Sequence, residues 1–253
     1  MIGFCVQWVR SLLFALQMYV ALAVTALILA PWAAIDRRGA YFATRLYCQW
    51  VRWSAAWMIG LKSEVRGSVP EGEVLIAAKH QSFFDIIVMG SVLPKPKFIY
   101  KSSLNYMPFV GSYARWLGCV PVNRGRRAEA IRNMVAAVTS SCAPPGQLII
   151  YPQGTRVAPG VRAPYKIGIA ALYSETGQTC VPVATNVGVF WPRSAVYRKP
   201  GLAVVEFLPQ IPSGLGKAAF MQHLQQSVEE SSNRLMREAG FQMPPTVPSS
   251  TAD

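Results

Sequence analysis

A histidine and an aspartate separated by four residues form the clearest chemical motif of this sequence. His80 is one of only two histidines among 253 residues, and Asp85 follows it at the spacing H-x4-D. Histidine is the side chain that takes up and returns a proton near neutral pH. A carboxylate beside it can fix the tautomer of the imidazole and stabilise the imidazolium that forms. The pair therefore indicates general acid–base catalysis.

The same residues also have a structural interpretation. Ser82 and Asp85 have the S-x-x-D spacing of a capping box, in which the acidic side chain only ties down the start of a helix. Ser82 is disfavoured as a nucleophile because it lies two residues from His80 and suits the cap. From this stretch alone, the structural and the catalytic interpretation of Asp85 both stay open.

Apolar runs on both sides of the motif indicate the elements that hold it. Residues 74–78 form an unbroken apolar stretch, and residues 86–89 form a second one directly after Asp85. A short apolar run before a polar corner is typical of a buried strand, and an apolar run after a cap residue is typical of a helix. The sequence therefore predicts a strand, a tight corner at His80 and the first turn of a helix.

Downstream of the N-terminal quarter, strand-like and helix-like patterns alternate. The strand-like runs are residues 61–65, 74–78, 98–100, 119–122, 147–151, 180–187 and 202–208. The helical patterns are residues 83–92, 108–117, 126–142, 164–176 and 216–239. This alternation predicts an α/β fold in which helices cover a mostly parallel or mixed sheet.

The N-terminal segment carries the pattern of a membrane helix. Residues 11–35 contain no charged side chain, and a stretch of this length can cross a bilayer with some tilt. Arg37 and Arg38 follow the stretch, whereas only Arg10 precedes it closely. The positive-inside rule therefore predicts an inner-membrane protein whose downstream domain faces the cytoplasm. Two alternatives stay open: a signal peptide, or a segment that breaks at Pro31 and dips into one leaflet.

A second, amphipathic helix is predicted at residues 40–60. Its aromatic and apolar stripe consists of Phe42, Leu46, Trp50, Trp53 and Trp57. A polar stripe beside it consists of Arg45, Gln49 and Arg52. Tryptophan and arginine together suit the headgroup layer of a membrane, although the same stripe would also suit docking on the protein's own core.

These patterns divide the chain into three predicted parts. Residues 1–61 form the N-terminal membrane-associated helices, residues 62–240 form the α/β domain, and residues 241–253 form a disordered tail. The tail is rich in proline, serine and threonine, which suits disorder.

Composition narrows the class of partner. The formal net charge is +13, which implies an anionic partner such as a phosphate, an acidic carrier, an anionic bilayer or a nucleic acid. The basic residues are spread along the chain while tryptophans cluster in the apolar N-terminus, which disfavours nucleic-acid binding. The five cysteines are scattered without a C-x-x-C motif, which argues against a disulfide framework and a zinc site.

Three further polar segments follow predicted strands, where βα units place their functional loops. They are Tyr100–Leu104, Gly118–Arg127 and Tyr151–Arg156. Arginines after strands, with glycines that allow close backbone approach, suit the capture of a phosphate. Each segment alone is also compatible with an ordinary turn or a basic helix start.

Together, these motifs resemble those of the glycerolipid acyltransferase family, and within it the 1-acylglycerol-3-phosphate acyltransferases. That family has an H-x4-D motif, an arginine-bearing second block, an E-G-T-R block and a V-P-V/I-x block, in this order. Here the blocks read His80–Asp85, Val122–Arg124, Gln153–Arg156 and Val181–Ala184. The K-S-S-L-x-x-x-P-F-x-G pattern that begins at Lys101 also looks like the family. The resemblance covers about residues 62–210.

Three positions depart from the family pattern. Lys79 stands where relatives often have asparagine, and Val157 stands where serine is common. Gln153 stands where the family usually has glutamate. Glutamine keeps an acceptor oxygen but loses the charge and adds a donor, so any role that needs an anion at this position is in doubt.

The resemblance implies an activity and a set of site residues. An acyl chain would pass from acyl-CoA or acyl-carrier protein to the sn-2 hydroxyl of 1-acylglycerol 3-phosphate, giving phosphatidic acid. His80 would act as the general base and Asp85 would orient it. Backbone N–H groups near Gly154 or Ser82 are expected to receive the oxyanion. The acceptor would be bound by Lys101, Arg124, Gln153, Gly154, Thr155 and Arg156.

The expected partners are therefore membrane lipids and the acyl donor. No cofactor, metal ion or covalent acyl-enzyme is expected, because the sequence offers no obvious ligand set or nucleophile. Two other functions stay open. The protein could acylate another lysolipid, such as a lyso-ornithine lipid, with the same His80 and Asp85, or it could be a catalytically inactive membrane scaffold.

Overall fold

The computed structural model describes residues 2–123, 127–140 and 143–244 of the chain. Some predictions from the sequence fall partly or wholly on other residues. Arg124, predicted to bind the acceptor, lies outside the described residues. Most of the tail predicted to be disordered, residues 245–253, lies outside them as well.

A seven-stranded sheet forms the centre of the described structure. Its strands are β1 (Leu61–Arg66), β2 (Val74–Ala78), β3 (Pro96–Lys101), β4 (Val120–Val122), β5 (Gln147–Ile150), β6 (Cys180–Thr185) and β7 (Gly201–Phe207). Their order across the sheet is β1-β7-β6-β2-β5-β3-β4. All neighbouring strands are parallel except β6 and β7, which are antiparallel. The prediction of an α/β fold with a mostly parallel sheet is therefore confirmed.

Helices flank the sheet and precede it. They are α1 (Ile2–Ile35), α2 (Arg37–Ile59), α3 (Phe84–Val92), α4 (Val110–Trp116), α5 (Arg127–Thr139), α6 (Gly168–Thr176) and α7 (Lys217–Glu238). Two short 3-10 turns, Ser102–Tyr106 and Val187–Val189, follow β3 and β6. The helix predicted from residue 164 begins later, at Gly168. The backbone N–H of Lys166 instead donates to Pro152 O at 2.9 Å, which ties the segment before α6 to the loop after β5.

Strand β2 shows why the sheet must be covered on both faces. All five of its residues are buried, and successive side chains point to opposite faces. Ile76 and Ala78 belong to the core shared with α2 and α3. Leu75 and Ala77 belong to the core shared with α5, α6 and α7. The unbroken apolar run before His80 is thus the signature of a strand with no solvent-facing side.

Helices α1 and α2 form a close antiparallel hairpin. The carboxylate of Asp36, between the helices, accepts a hydrogen bond from the backbone N–H of Arg38 at 2.8 Å and caps α2. Gly39 lies against the end of α1, where an added Cβ would come within 2.7 Å of Ala33 N. Pro31 lies inside α1 without ending it, so the helix continues to Ile35.

Helix α1 combines a docked face with a large exposed apolar surface. Phe14 and Met18 are almost completely buried against the core, and Gln7 Nε2 donates to Ile59 O and Arg198 O, both at 2.9 Å. The rest of the helix exposes apolar side chains, and the span from Gly3 to Ile35 has a mean hydropathy of 2.3 in its most apolar window. Among the described residues this is the one helix long and apolar enough to cross a membrane. This helix is consistent with membrane association of the chain.

Helix α2 docks through small residues and leaves its aromatic stripe outside. Ala43, Val51 and Ala55 on one side are buried. On the other side, Trp53 and Trp57 are 57% and 71% exposed. The helix thus docks on the core as one interpretation required, but through the face opposite the aromatic stripe, which stays exposed.

Candidate active site

Two of the predicted site segments, the one with His80 and the one after β5, meet the loop after β6 at one edge of the sheet. Because β2, β5 and β6 are parallel neighbours, their carboxyl ends lie side by side, with Ala77 paired to Ile150 and Ala78 paired to Val183. The chain leaves these strands as residues 79–83, 151–157 and 186–189. Functional loops of α/β folds lie at such an edge.

The histidine and the aspartate of the H-x4-D motif are in contact. His80 Nδ1 lies 3.1 Å from Asp85 Oδ2. The Asp85 side chain is 2% exposed, whereas the His80 side chain retains 13% exposure. A carboxylate at Nδ1 favours the tautomer with its proton on that nitrogen, so that Nε2 is left as the proton acceptor. This is the geometry that a general base requires.

Asp85 also performs the structural role that the capping-box spacing predicts. Its Oδ2 accepts hydrogen bonds from Gln81 N at 2.7 Å and from Ser82 N at 2.8 Å. The Ser82 hydroxyl accepts from Phe84 N at 3.2 Å, which commits it to the helix start. One carboxylate oxygen thus makes both the contacts of a helix cap and the contact with His80, so the structural role does not exclude the catalytic one.

Tyr151 is a residue of this site that the sequence analysis did not assign. Its ring stacks on the imidazole of His80, with a distance of 3.9 Å between ring centroids and an angle of 21° between the planes. Its hydroxyl is buried and has no hydrogen-bond partner among the described residues. Burial, with the nearby negative charge of Asp85, raises the pKa of Tyr151 well above its ordinary value. The hydroxyl therefore stays protonated beside the candidate base.

The segment after β5 forms a tight turn next to His80. Gly154 has a φ of +70°, and its N–H donates to Tyr151 O at 2.8 Å. Val157 N donates to His80 O at 2.8 Å, which fixes the segment to the histidine corner. Gln153 is buried, and neither Oε1 nor Nε2 has a hydrogen-bond partner within the described part of the chain. Unsatisfied buried polar atoms each cost about 1–3 kcal/mol, so this carboxamide is poised to gain from a polar ligand.

Three other predicted binding residues, Lys101, Thr155 and Arg156, lie at the same edge with varied exposure. Thr155 is exposed and Arg156 is half-buried. Arg156 Nη1 donates to the backbone oxygen of Arg193 at 3.2 Å. Lys101 ends β3 and is exposed.

Two of the expected oxyanion donors are already engaged. The N–H of Ser82 donates to Asp85, and the N–H of Gly154 donates to Tyr151 O. The expectation that these two groups receive an oxyanion is therefore not supported by this arrangement. Within the described ranges, no group of three or more histidine, cysteine, aspartate or glutamate side chains is placed to hold a metal ion.

Lys79, the residue before the histidine, points away into a buried ion pair. Its side chain is 1% exposed, and Nζ lies 2.5 Å from Glu229 Oε2 on α7. The hydroxyl of Tyr165 donates to Glu229 Oε1 at 3.0 Å. Burial and the Glu229 carboxylate raise the pKa of Tyr165. The departure at Lys79 therefore ties the strand end that carries His80 to the last helix.

The part of the chain that carries this site is similar to known acyltransferases. Residues 62–186, just under half of the chain, match the family model described as Acyltransferase. The matched residues run from β1 to just past β6, so they include the histidine corner and the segment after β5.

Matches to individual proteins indicate a narrower similarity than the family model does. The chain is 28% identical to the 1-acyl-sn-glycerol-3-phosphate acyltransferase of Pseudomonas aeruginosa over 171 residues, which are 66% of this chain and 66% of that protein. It is 28% identical to the 1-acyl-sn-glycerol-3-phosphate acyltransferase of Saccharomyces cerevisiae over 134 residues, which are 51% of this chain and 44% of that protein. The alignments thus span just under two thirds of the bacterial relative and less than half of the yeast one.

A solved structure has the same fold. The crystal structure of the 1-acyl-sn-glycerophosphate (LPA) acyltransferase PlsC from Thermotoga maritima matches this chain with a TM-score of 0.71 at 19% sequence identity. The match covers 90% of this chain and 97% of that chain, so it includes the N-terminal helices as well as the sheet.

Proposed function

We propose that this protein transfers an acyl chain from a thioester donor to the sn-2 hydroxyl of 1-acylglycerol 3-phosphate, giving phosphatidic acid. The observation that carries the proposal is the His80–Asp85 pair at the edge of an acyltransferase domain, next to the turn that presents Arg156. The match to enzymes of this name in two organisms supports the choice of acceptor. The donor is acyl-CoA or acyl-carrier protein.

In the proposed reaction, His80 removes the proton from the sn-2 hydroxyl as its oxygen attacks the thioester carbonyl. A new carbon–oxygen bond forms and the carbon–sulfur bond breaks when the tetrahedral intermediate collapses. The thiolate leaves and takes up the proton from His80, so the base is restored. Asp85 stabilises the imidazolium in between, and its burial strengthens that interaction because water does not screen it.

Binding of the acceptor is assigned to residues around the turn after β5 and to the neighbouring strand ends. Arg156 binds the phosphate, with Lys101 and Arg124 as further cations, and so holds the hydroxyl at attack distance. Gln153 donates a hydrogen bond to the bound acceptor or accepts one from it, which satisfies its carboxamide. Gly154 and Thr155 form the turn that carries Gln153 and Arg156.

The test is acyl transfer by the purified protein in phospholipid vesicles. Lysophosphatidate, lyso-ornithine lipid and glycerol 3-phosphate are compared as acceptors, each with acyl-CoA and with acyl-carrier protein as donor. We expect phosphatidate to form from lysophosphatidate. Transfer only to lyso-ornithine lipid would replace the proposed acceptor. A folded, membrane-bound protein that acylates none of the three would support a scaffold role and overturn the proposal.

The proposed site of action is the cytoplasmic face of the inner membrane. The exposed apolar side of α1 enters the bilayer, and the aromatic stripe of α2 lies at the headgroup level, where tryptophan is favoured. The acceptor and the product then never leave the lipid. Arg37 and Arg38 after α1 support a cytoplasmic position of the domain, because basic residues are favoured on that side of the membrane. Protease access to the domain in inverted inner-membrane vesicles, but not in spheroplasts, is the expected result for this orientation.

Quenching of tryptophan fluorescence by brominated lipids tests the contact of α2 with the membrane. Replacing Trp53 and Trp57 with phenylalanine is expected to lower the lipid-quenched part of the emission by roughly two fifths, because five exposed tryptophans become three. Trp191→Phe is the control, since Trp191 is only 4% exposed. An unchanged quenched fraction in the Trp53/Trp57 double variant would place the α2 stripe outside the bilayer.

A further inference from the structure

Two basic side chains that the sequence analysis left unassigned lie beside the turn after β5. Lys166 precedes α6, and its Nζ lies 2.7 Å from the point where a Cβ on Gly154 would stand. Arg193 follows the turn after β6 and contacts Arg156 reciprocally. Arg156 Nη1 donates to Arg193 O at 3.2 Å, and Arg193 Nη1 donates to Arg156 O at 3.5 Å. Three cations thus converge on one turn.

No carboxylate of the described residues forms an ion pair with any of these three cations. The ion pairs within the described ranges use other basic residues: Arg66, Lys79, His80 and Arg234. Like charges held close together repel each other unless an anion joins them. The local charge of this cluster therefore matches a ligand that carries about two negative charges.

Backbone hydrogen bonds connect the segments that carry Lys166 and Arg156 to the segment of the base. Lys166 N donates to Pro152 O at 2.9 Å, so the segment before α6 is tied to the segment after β5. Val157, the neighbour of Arg156, donates its N–H to His80 O at 2.8 Å. Gly154 leaves the space beside the turn open, and Lys166 Nζ lies in it.

We infer that Lys166 and Arg193, together with Arg156, form a three-cation clamp for the phosphomonoester of the acyl acceptor. This inference rests on the function proposed above. A phosphomonoester carries about 1.5 to 2 negative charges at neutral pH. The planar guanidinium groups suit two of its oxygens in bidentate fashion, and the lysine supplies a point charge to the third.

The acyl donor also carries phosphate groups, but the geometry favours the acceptor. In 1-acylglycerol 3-phosphate, the attacking sn-2 oxygen is joined to the phosphorus only through C2, C3 and the ester oxygen. The acceptor phosphate must therefore lie close to His80 during attack. The phosphates of coenzyme A or of the carrier protein's prosthetic group are separated from the thioester by a long pantetheine arm. A cation cluster tied by hydrogen bonds to the His80 corner thus matches the acceptor.

Steady-state kinetics of Lys166→Gln and Arg193→Gln in lysophosphatidate-containing vesicles test the clamp. A charge-assisted hydrogen bond contributes about 1.5–3 kcal/mol, so each variant is expected to raise KM for lysophosphatidate roughly tenfold or more. We expect kcat and the KM for the donor to stay within about twofold, because the clamp binds ground state and transition state alike. Arg162→Gln is the matched control, since Arg162 is an exposed cation of the same loop with no part in the clamp.

The possible outcomes distinguish a failure of the clamp from a failure of the proposed function. A raised KM for the donor with an unchanged KM for lysophosphatidate would assign the cluster to the donor and overturn the inference. Unchanged constants for both substrates would overturn it as well. A wild-type protein that does not acylate lysophosphatidate at all would instead overturn the proposed function. Each variant is expected to unfold at the same midpoint temperature as the wild type, because both side chains are exposed.

Discussion

Replacement of His80 by alanine is expected to lower kcat of acyl transfer by a hundredfold to ten-thousandfold. This is the typical contribution of a positioned general base, and alanine leaves no group that can accept the hydroxyl proton. The KM for lysophosphatidate is expected to change by less than about threefold, because the proposed phosphate contacts lie in another segment. Measurement of phosphatidate formation over a range of acceptor concentrations separates the two constants.

The second histidine provides the control for this experiment. His223 lies on α7 and is exposed, so His223→Ala is expected to retain wild-type kinetics. The His80 side chain is mostly buried, and Tyr151 packs on its ring, so the folding of His80→Ala must be checked by its unfolding midpoint. A folded His80→Ala protein with more than about a tenth of the wild-type kcat would exclude a general-base role.

The sequence predicted the sheet well because its strands carry local signals. Residues 74–78 and 148–150 are continuous apolar runs, and both lie in strands buried on both faces. The spacing from Ser82 to Asp85 also predicted a helix start, which the hydrogen bond from Ser82 N to the carboxylate confirms. These features depend on neighbours in the chain, so the sequence alone contains them.

Contacts between distant segments carried no such signal. Tyr151 and His80 are stacked only because β2 and β5 are adjacent, and nothing in either segment specifies that pairing. Lys166 was included in a predicted helix, whereas its N–H bonds to Pro152 and its ammonium group lies over Gly154. Lys79 was noted as a departure from the family, but only the fold shows Glu229 as its partner. The residues that the sequence missed are thus those whose role depends on tertiary contacts.

Replacement of Asp85 by asparagine is expected to lower the activity while leaving the helix start intact, although Asp85 contacts both the helix start and His80. Three of the four hydrogen-bonding groups around this side chain, His80 Nδ1, Gln81 N and Ser82 N, face the same oxygen, Oδ2. An asparagine that places its carbonyl oxygen there keeps these three contacts. Its amide nitrogen then replaces Oδ1, which lies 3.5 Å from Thr185 Oγ1. That hydroxyl donates to Val204 O at 3.0 Å and can accept from the new amide.

The asparagine variant therefore preserves the helix start and removes only the charge. We expect the free energy of unfolding to change by less than about 2 kcal/mol, because the lost charge assistance is offset by the easier burial of a neutral group. The expected loss in kcat is much larger, roughly a hundredfold or more, because no carboxylate remains to stabilise the imidazolium during proton transfer. Urea unfolding and steady-state kinetics on the same preparation give both quantities.

Asp85→Ala is the comparison variant, because it removes both the charge and the helix cap. Alanine removes the acceptor for Gln81 N and Ser82 N as well as the charge, and unsatisfied buried N–H groups each cost about 1–3 kcal/mol. It is therefore expected to lose stability in addition to activity, whereas the asparagine variant loses activity alone. If Asp85→Asn instead kept a near wild-type kcat, the carboxylate would be a helix cap and nothing more, and His80 would have to act without it.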